Sequence, residues 1–340
     1  MKAEFLRGEE CTAIRMAEGR PFRILQLTDI HIGGGWLSRK KDRLALDAVE
    51  KVVRAAQADF VVVTGDMVYP MFMFSGTSNN LKATRMFAEK MESLGVPWTC
   101  VFGNHDEEPI AFYKKERLAD YYETLKCCFF RKGDKNLTGV GNHYFRLEKA
   151  DGTLNMLLMM IDSNNYVGKG FFSGFDVIHD DQIDWYEKTV LENSADGNVV
   201  PSLAFFHIPP AEFKEGWEKC YRGDPAATYR LGFVGEKDNY FGYAKTKKGN
   251  FVERMEKLGS CKGFFVGHDH LNTLSIDYRG MRMTYGMSID YIAYVSWLGQ
   301  IPTAKCRTQR GGTVVDINED GSFEISLLPL TDIEAAEKAE

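Results

Sequence analysis

The sequence predicts an α/β fold, and three observations support that class. Short apolar runs of strand type alternate with segments whose apolar residues recur three or four positions apart, as on one face of a helix. The alternation begins strand, helix, strand, helix, strand, which implies parallel strands joined by right-handed crossovers. The 340 residues are 44% hydrophobic and contain no evident linker, so we expect one domain over residues 20–330.

The first half of the chain is predicted to supply three strands and two helices. The strands are expected at 24–27, 60–63 and 98–102, the second of them from a run of valines. Apolar residues at helical spacing mark the helices between them, namely Leu44, Ala48, Val49, Val52, Val53 and Ala56 in the first and Ala83, Phe87, Met91 and Leu94 in the second.

The second half is predicted to add more strands and two helices. One helix should begin near Asp180 or Asp181 and another should cover 251–258. Asp320-Gly321 is typical of a hairpin turn. The strands are expected at 144–147, 155–161, 203–206, 263–266, 281–285, 313–317 and 323–327.

Three segments fall outside this regular pattern. Residues 209–250 have the weakest periodicity and are expected to form a lid-like insertion. Residues 1–19 are interpreted as an N-terminal extension, and 331–340 as a solvated or frayed tail.

Charge narrows the classes of partner. The net charge of −6 argues against a broad nucleic-acid surface, which needs a basic face. It is compatible with a small anionic substrate, because bound cations can dominate the local field. Two small basic clusters, Arg39-Lys40-Lys41 and the set Lys245, Lys247 and Lys248, are interpreted as solvated loop charges.

The seven cysteines and the N-terminus predict a cytoplasmic protein. The cysteines are scattered without a CxxC pair, which favours reduced thiols over a Cys127–Cys128 disulfide. The N-terminus lacks the apolar stretch of a signal peptide, although a signal removed upstream would leave the same N-terminus. The longest apolar run, 156–161, is far shorter than the ~20 residues of a membrane span, so no membrane partner is expected.

Five short polar clusters follow directly after predicted strands. Parallel strands end at the same edge of a sheet, so these clusters should converge. They are Thr28-Asp29-Ile30-His31, Gly65-Asp66, Gly103-Asn104-His105-Asp106, His207 and Gly267-His268-Asp269-His270.

The clusters offer oxygen and imidazole-nitrogen donors without a thiolate, which suits Zn, Mn or Fe. Glycines 33, 65, 103 and 267 would let the backbone turn sharply and approach closely. Each cluster alone is weak evidence, since Asp-x-His and Gly-Asp pairs arise by chance, but five in order at strand ends are strong. His143 and His179 lie outside the pattern and are interpreted as strand-end or surface histidines.

The ordered set resembles the calcineurin-like metallophosphoesterase superfamily over residues 22–327. Segments 206–210, 267–272 and 310–312 are similar to a purple-acid-phosphatase-like branch found in plants and fungi. The resemblance implies a four-layer α/β/β/α sandwich of two facing mixed sheets flanked by helices. It also implies two metal ions of Mn, Fe or Zn, one held by Asp29, His31 and His270, the other by Asn104, His207 and His268, with Asp66 bridging them.

The expected reaction is attack on phosphorus by a metal-bridging hydroxide, with Asp66 and His105 as the catalytic residues. His105 is the candidate proton donor to the leaving group. Tyr69 matches the position of an iron-binding tyrosine in purple acid phosphatases, but His31 already supplies that site, so a packing role is favoured. Three further residues have expected roles: Asp106 is either an imidazole partner or a turn carboxylate, Asp269 is structural, and Arg310 is a phosphate contact or, preferably, a surface residue.

The predicted function is metal-dependent hydrolysis of phosphate esters, with a small phosphate ester or a phosphoprotein as substrate. The alternatives are a non-catalytic binding scaffold on the same fold and a nuclease. Monoester and diester substrates stay open, as does the oligomeric state. The aromatic residues of the 209–250 insertion either stack on a leaving group or, preferably, pack the insertion onto the core; they are Trp217, Tyr221, Tyr229, Phe233, Tyr240 and Phe241.

Overall fold

The computed structural model describes residues 2–168, 174–195, 197–245, 249–294 and 309–339, which contain sixteen strands, eight α-helices and a short 3-10 helix at Lys237–Asn239. The strands are β1 (Glu4–Arg7), β2 (Thr12–Arg15), β3 (Phe22–Leu27), β4 (Phe60–Thr64), β5 (Trp98–Val101), β6 (His143–Glu148), β7 (Leu154–Met160), β8 (Tyr166–Val167), β9 (Gly174–Phe175), β10 (Ser202–Phe205), β11 (Ala227–Leu231), β12 (Cys261–Val266), β13 (Ser275–Tyr278), β14 (Met281–Tyr285), β15 (Gly311–Ile317) and β16 (Phe323–Pro329). The helices are α1 (Arg39–Ala56), α2 (Phe72–Ser75), α3 (Asn80–Leu94), α4 (Lys115–Tyr122), α5 (Asp180–Glu192), α6 (Ala211–Arg222), α7 (Phe251–Leu258) and α8 (Leu330–Ala339).

The strands form two large mixed sheets. The smaller has the order β16-β15-β3-β4-β5, and its members β3, β4 and β5 are parallel, as the sequence predicted. The larger has the order β1-β2-β6-β7-β10-β12-β14-β13-β11, with a parallel centre from β7 through β10 and β12 to β14. A short hairpin pairs β8 with β9.

Three apolar cores separate four layers. One core lies between the sheets and joins Ile24 and Phe60 of the small sheet to Leu158 and Phe265 of the large sheet. A second packs α1, α3 and α4 on the outer face of the small sheet, and a third packs α5, α6 and α7 on the outer face of the large sheet. The expected α/β/β/α sandwich is therefore confirmed.

The segments near both termini that the structure describes are parts of this sandwich. Residues 1–19 contain β1 and β2, and β2 pairs in parallel with β6 at the end of the large sheet. For the expected solvated or frayed tail, fraying is wrong, because 330–339 form α8, whose Leu330 is buried and whose Ile333 packs on the core under α1, while residues 335–339 of the helix are exposed to solvent. Apolar residues at one helical spacing outweighed the acidic composition of this segment.

The 209–250 segment contains regular structure. Helix α6 packs Phe213 into the core, and β11 pairs with β13 at the edge of the large sheet. Of the aromatic residues in this segment, Phe241 is buried and packs near Phe213 and Tyr285. The exposed ones are Tyr221, Tyr229, Phe233 and Tyr240.

Smaller expectations can be compared with the described residues. Helix α5 is capped by His179 rather than by Asp180 or Asp181, with the side chain of Gln182 accepting from the His179 N–H. Six cysteines in the described ranges are free thiols, Cys127 and Cys128 among them. Cys306, Lys247 and Lys248 lie outside the described residues. No helix within the described ranges is long and apolar enough to cross a membrane.

Candidate metal centre

The five polar clusters meet where the two sheets present the carboxyl ends of β3, β4, β5, β10 and β12. Their donor atoms form three overlapping groups, each with all atoms within 4.8 Å of one another. The groups are Asp29, His31 and His270; His31, Asp66 and His105; and Asp66, His207 and His268. The structure thus brings together the residues that the sequence singled out, although their roles as ligands stay predictions.

The backbone is strained at four of these positions. Asp29, His31, Asp66 and His268 have φ of 51°, 56°, 52° and 79°, in the left-handed region that residues with a Cβ rarely adopt. Such strain costs on the order of 1–3 kcal/mol per residue and concentrates at functional sites. The strands therefore end in turns that aim these side chains at one point.

Glycine permits the closest approach between two of the loops. A Cβ on Gly103 would lie 2.2 Å from Asp66 Oδ1, and a Cβ on Gly65 would lie 2.6 Å from His207 Nδ1. Any side chain at either position would displace a candidate ligand. The prediction that these two glycines allow close approach is confirmed.

Asp66 lies at the centre of the cluster. Its Oδ2 is 3.3 Å from His31 Nε2 and 3.1 Å from His207 Nε2, while its Oδ1 accepts a hydrogen bond of 2.8 Å from the His105 N–H. Burial favours the neutral acid, but the charges of His207 and His105 outweigh it and hold the pKa of Asp66 well below its usual range. A carboxylate at this position can contact cations on both sides.

Burial and the neighbouring charges also shift the pKa values of three histidines of the cluster. Burial lowers the pKa of His31, but hydrogen bonds with Asp290 and Asp66 raise it to about 9. Burial also lowers the pKa of His207, yet the charge and hydrogen bond of Asp66 raise it to about 9. Burial and the neighbouring His207 charge lower the pKa of His268 to about 3. The pocket therefore attracts positive charge at its carboxylates while keeping one imidazole neutral.

Both carboxylate oxygens of Asp29 contact neighbouring groups of the site. Its Oδ2 accepts hydrogen bonds from Thr28 Oγ1 at 2.8 Å and from the His268 N–H at 3.0 Å. Its Oδ1 lies 3.3 Å from His270 Nε2. These contacts tie the loop after β3 to the loop after β12, so the two sheets contribute to one site.

Asp290 also belongs to this centre, although it is not among the residues predicted from the sequence. Its Oδ1 lies 3.2 Å from His31 Nδ1, and its Oδ2 lies 3.2 Å from His270 Nδ1. Like the five polar clusters, Asp290 follows a strand, in this case β14. This position after a strand is the feature of the sequence that could have identified it. A carboxylate on Nδ1 leaves Nε2 of each ring facing the site.

Arg310 supports Asp290 from behind. Its Nε donates to the Asp290 carbonyl oxygen at 2.8 Å, and its guanidinium lies 3.7 Å from the centre of the Tyr291 ring. Arg310 is buried, so the preferred reading as a surface residue is wrong. Its packing orders the loop that carries Asp290.

The donor set fits a pair of metal ions. Asn104 Oδ1 is buried and has no hydrogen-bond partner among the described residues, and the buried Asp29 Oδ1 has His270 Nε2 at 3.3 Å, itself a candidate ligand atom. Asn104 Nδ2 donates to the Tyr166 hydroxyl at 2.7 Å, which turns the amide oxygen the other way. An orphaned buried oxygen is costly unless a cation or water satisfies it. The orphaned Asn104 oxygen, together with the Asp29 carboxylate and four imidazoles, fits a centre with oxygen and nitrogen ligands.

His105 lies at the open side of the cluster. Its Nε2 is 4.0 Å from Asp66 Oδ2, and its Nδ1 pairs with Glu108 Oε1. Glu108 also accepts a hydrogen bond of 3.3 Å from the Tyr166 hydroxyl. The imidazole is therefore held by a buried glutamate while its other nitrogen faces the centre, an arrangement suited to proton donation.

The remaining candidates have structural contacts. Asp106 accepts hydrogen bonds from the N–H groups of Asp66, Gly103 and Val68. It therefore stabilises the turns of these loops and does not orient any imidazole of the described residues. Asp269 accepts from the Gly242 N–H and the Tyr285 hydroxyl. Tyr69 packs its ring 5.1 Å from that of His31 and 4.8 Å from that of His105.

The two histidines outside the pattern lie away from the centre. His143 is buried at the start of β6, with Nε2 2.9 Å from Thr99 Oγ1 and Nδ1 2.7 Å from the Gly141 carbonyl oxygen. His179 pairs with Asp176 in front of α5.

Comparison with known proteins places this geometry among phosphoesterases. The family model described as Calcineurin-like phosphoesterase matches residues 22–272. A protein of Arabidopsis thaliana named "Probable inactive purple acid phosphatase 29" is 26% identical over 309 residues, which are 83% of this chain and 75% of that protein. "Phosphatase DCR2" of Saccharomyces cerevisiae is 28% identical over 282 residues, which are 75% of this chain and 45% of that protein.

Solved structures with the same fold include a phosphatase. A dimetal phosphatase from Danio rerio superimposes with a TM-score of 0.54 at 13% sequence identity, covering 92% of this chain and 97% of that one. At this identity the likeness concerns the architecture alone.

Proposed function

Since the chain belongs to the calcineurin-like phosphoesterase family, as its motifs predicted, we propose that it is a two-metal hydrolase of phosphate esters. The observation that carries the proposal is the position of Asp66, which shares one donor group with His31 and another with His207 and His268. A carboxylate common to two groups of ligands is the arrangement that a pair of cations needs.

The residues divide naturally between two metal ions. Asp29, His31 and His270 would hold one, and Asn104, His207 and His268 would hold the other, with Asp66 contacting both. When bound, such a pair acidifies water and neutralises charge on phosphoryl oxygens. The oxygen and nitrogen donors are compatible with Mn, Fe or Zn.

The chain's own residues supply proton transfer and orientation. His105 would donate a proton from Nε2 to the leaving oxygen, because its Nδ1 is engaged by Glu108. Asp290 orients His31 and His270 by accepting from their Nδ1 atoms. Neither Glu108 nor Asp290 would touch the substrate, so both are positioning residues.

The names of the plant relatives raise the alternative of a scaffold without turnover. "Probable inactive" is said of those proteins. Here each of the seven predicted ligands is present, and the proton donor has a buried partner. These features support catalysis, and a turnover assay decides between the two readings.

The test is hydrolysis of mono- and bis-p-nitrophenyl phosphate by chelated protein before and after addition of Mn²⁺. Asp66→Asn and His207→Ala are compared with wild type, and His179→Gln serves as a control histidine away from the centre. Metal-dependent turnover that both site variants lose and the control retains supports the proposal, and the ratio of the two rates separates phosphatase from phosphodiesterase. Stoichiometric metal binding without turnover on either ester would favour the scaffold.

A further inference from the structure

Large apolar side chains are exposed on one rim beside the metal centre. Trp36 is 75% exposed, Met73 72%, Phe112 68% and Phe72 59%. Soluble proteins rarely leave several such side chains together in water, and a patch of this kind marks an interaction surface. The apolar rim is defined here as Trp36, Leu37, Phe72, Met73, Ile110 and Phe112.

Backbone contacts show that the rim is continuous. The Leu37 N–H donates to the Ser75 carbonyl oxygen at 3.2 Å, which joins the loop after β3 to α2. Gly76 approaches the Trp36 ring so closely that a Cβ there would lie 2.7 Å from it. The Phe112 N–H donates to the Ser78 carbonyl oxygen at 2.9 Å, which adds the loop after β5.

The rim borders the candidate centre. Its side chains come from the three loops that follow β3, β4 and β5, and these loops also carry Asp29, Asp66 and Asn104. The Tyr69 ring is 5.1 Å from His31 on one side and 5.9 Å from Phe74 of α2 on the other. A surface that covers the rim would therefore lie next to the metal ligands.

Exposed cations flank the rim. Arg39 and Lys40 begin α1 three and four residues after Trp36, and Lys82 lies in the first turn of α3. Two acids of this region have partners within the chain: Asp42 accepts from the N–H groups of Gly33 and Gly34, and Glu107 pairs with Lys114. The rim therefore presents apolar side chains with positive charge beside them.

We propose that this face docks on an anionic lipid surface, with the apolar rim inserted at the interface and Arg39, Lys40 and Lys82 against the headgroups. Tryptophan, phenylalanine and leucine beside basic residues are the composition that binds at membrane interfaces. The consequence, that the centre acts on phosphate esters held at a membrane, rests on the proposed function. The expectation of no membrane partner rested on the lack of an apolar run long enough to span a membrane. Docking at the lipid interface does not need a membrane-spanning segment.

Vesicle flotation tests the docking without requiring turnover. The full chain is mixed with vesicles of phosphatidylcholine or of phosphatidylcholine with 30% phosphatidylserine, at about 0.1 M and 0.5 M salt. We expect recovery with the anionic vesicles at low salt and a clear decrease at high salt, because charge attraction to the surface is screened. Trp36→Ser combined with Phe72→Ser, and Arg39→Glu combined with Lys40→Glu, should each lower the binding constant at least tenfold.

Matched controls place the effect on this face. Tyr221→Ser removes an aromatic side chain that is 80% exposed on α6, and Lys188→Glu with Lys257→Glu reverses exposed charges on α5 and α7. These variants should bind like wild type. Hydrolysis of soluble p-nitrophenyl phosphate should be unchanged in the rim variants, so a failure of docking and a failure of the proposed function are distinguishable.

Two outcomes would overturn the inference. One is wild-type protein that stays unbound with both kinds of vesicle. The other is self-association, measured by analytical ultracentrifugation, that the Trp36→Ser and Phe72→Ser double variant abolishes, which would make the rim an interface between copies of the chain.

Discussion

Asp290 Oδ1 lies 3.2 Å from His31 Nδ1, although the two residues are 259 positions apart in the sequence. The same carboxylate reaches His270 Nδ1 with its second oxygen and accepts from the N–H groups of Ile292, Ala293 and Tyr294. One carboxylate thus sets the orientation of two imidazoles, and three backbone hydrogen bonds hold that carboxylate in place.

Asp290→Asn should weaken metal binding at the His31 and His270 side of the centre. The amide cannot accept Nδ1 protons with both of its polar atoms, so at least one ring loses its orienting partner. Loss of such a partner typically costs 10- to 100-fold in metal affinity or activity. The measurement is the Mn²⁺ concentration for half-maximal hydrolysis, together with the metal content of dialysed protein.

Asp277→Asn is the control for this variant. Asp277 lies on β13, away from the centre, and pairs with Arg230 of β11 and Arg282 of β14. Equal Mn²⁺ requirements for Asp290→Asn and wild type would show that Asp290 does not orient the ligands.

Glu108→Gln should slow proton donation by His105 while leaving substrate binding intact. We expect kcat to fall about tenfold and KM to change little, since general acid catalysis as a whole contributes about 10²–10⁴-fold. The loss should be larger for phenyl phosphate than for p-nitrophenyl phosphate, because the poorer leaving group needs the proton more.

The neighbouring Glu107→Gln is the matched control, because Glu107 pairs with Lys114 at the surface. A loss of the same size for both leaving groups would argue that Glu108 supports the loop rather than the proton donor.

His143 should make the fold sensitive to acid. Burial lowers its pKa from 6.5 to about 4, so the folded protein keeps the ring neutral. Between these values the unfolded chain binds a proton that the folded chain does not, and stability therefore falls as the pH falls from 6.5 to 4. The full effect is about 3 kcal/mol, at ~1.4 kcal/mol per pKa unit.

Urea unfolding of chelated wild type and His143→Gln at pH 7, 6, 5 and 4.5 measures this contribution. Wild type should lose more stability than the variant over this range. Parallel pH profiles for the two proteins would show that the pKa of His143 is not depressed in the folded state.

Leu330→Ala should destabilise the protein although it lies in the last helix. Leu330 is buried, and its N–H donates to the Arg310 carbonyl oxygen at 2.7 Å. Truncating a buried leucine costs about 2–5 kcal/mol, and this partly peripheral position should fall in the lower half of that range. Thermal or urea unfolding gives the difference.

The control is Glu337→Gln, also in α8, which breaks an exposed ion pair between Glu337 and Lys51 of α1. It should lower the free energy of unfolding by less than about 1 kcal/mol. If Leu330→Ala were as mild as this control, α8 would contribute little to the folded state.

The elements of the fold could be predicted more fully than their assembly. Strands such as β4 and helices such as α1 were predicted because their apolar periodicity is local. The division of the strands between two sheets could not be read from periodicity, because the pairing of β2 with β6 or of β3 with β15 joins distant segments.

The sequence by itself determined the class of fold, the family and the polar residues that meet at the centre. Each of these residues lies in a short motif directly after a strand, so the local pattern was enough to single out Asp29, Asp66 and His207, whereas the packing of the two sheets brings His207 of the large sheet next to Asp29 and Asp66 of the small one. Only the tertiary structure decided which groups hold them in place. Asp290 behind His31, Arg310 behind Asp290 and Glu108 beside His105 became visible with the side chains, because a hydrogen bond or a buried cation depends on distance in space rather than on spacing along the chain.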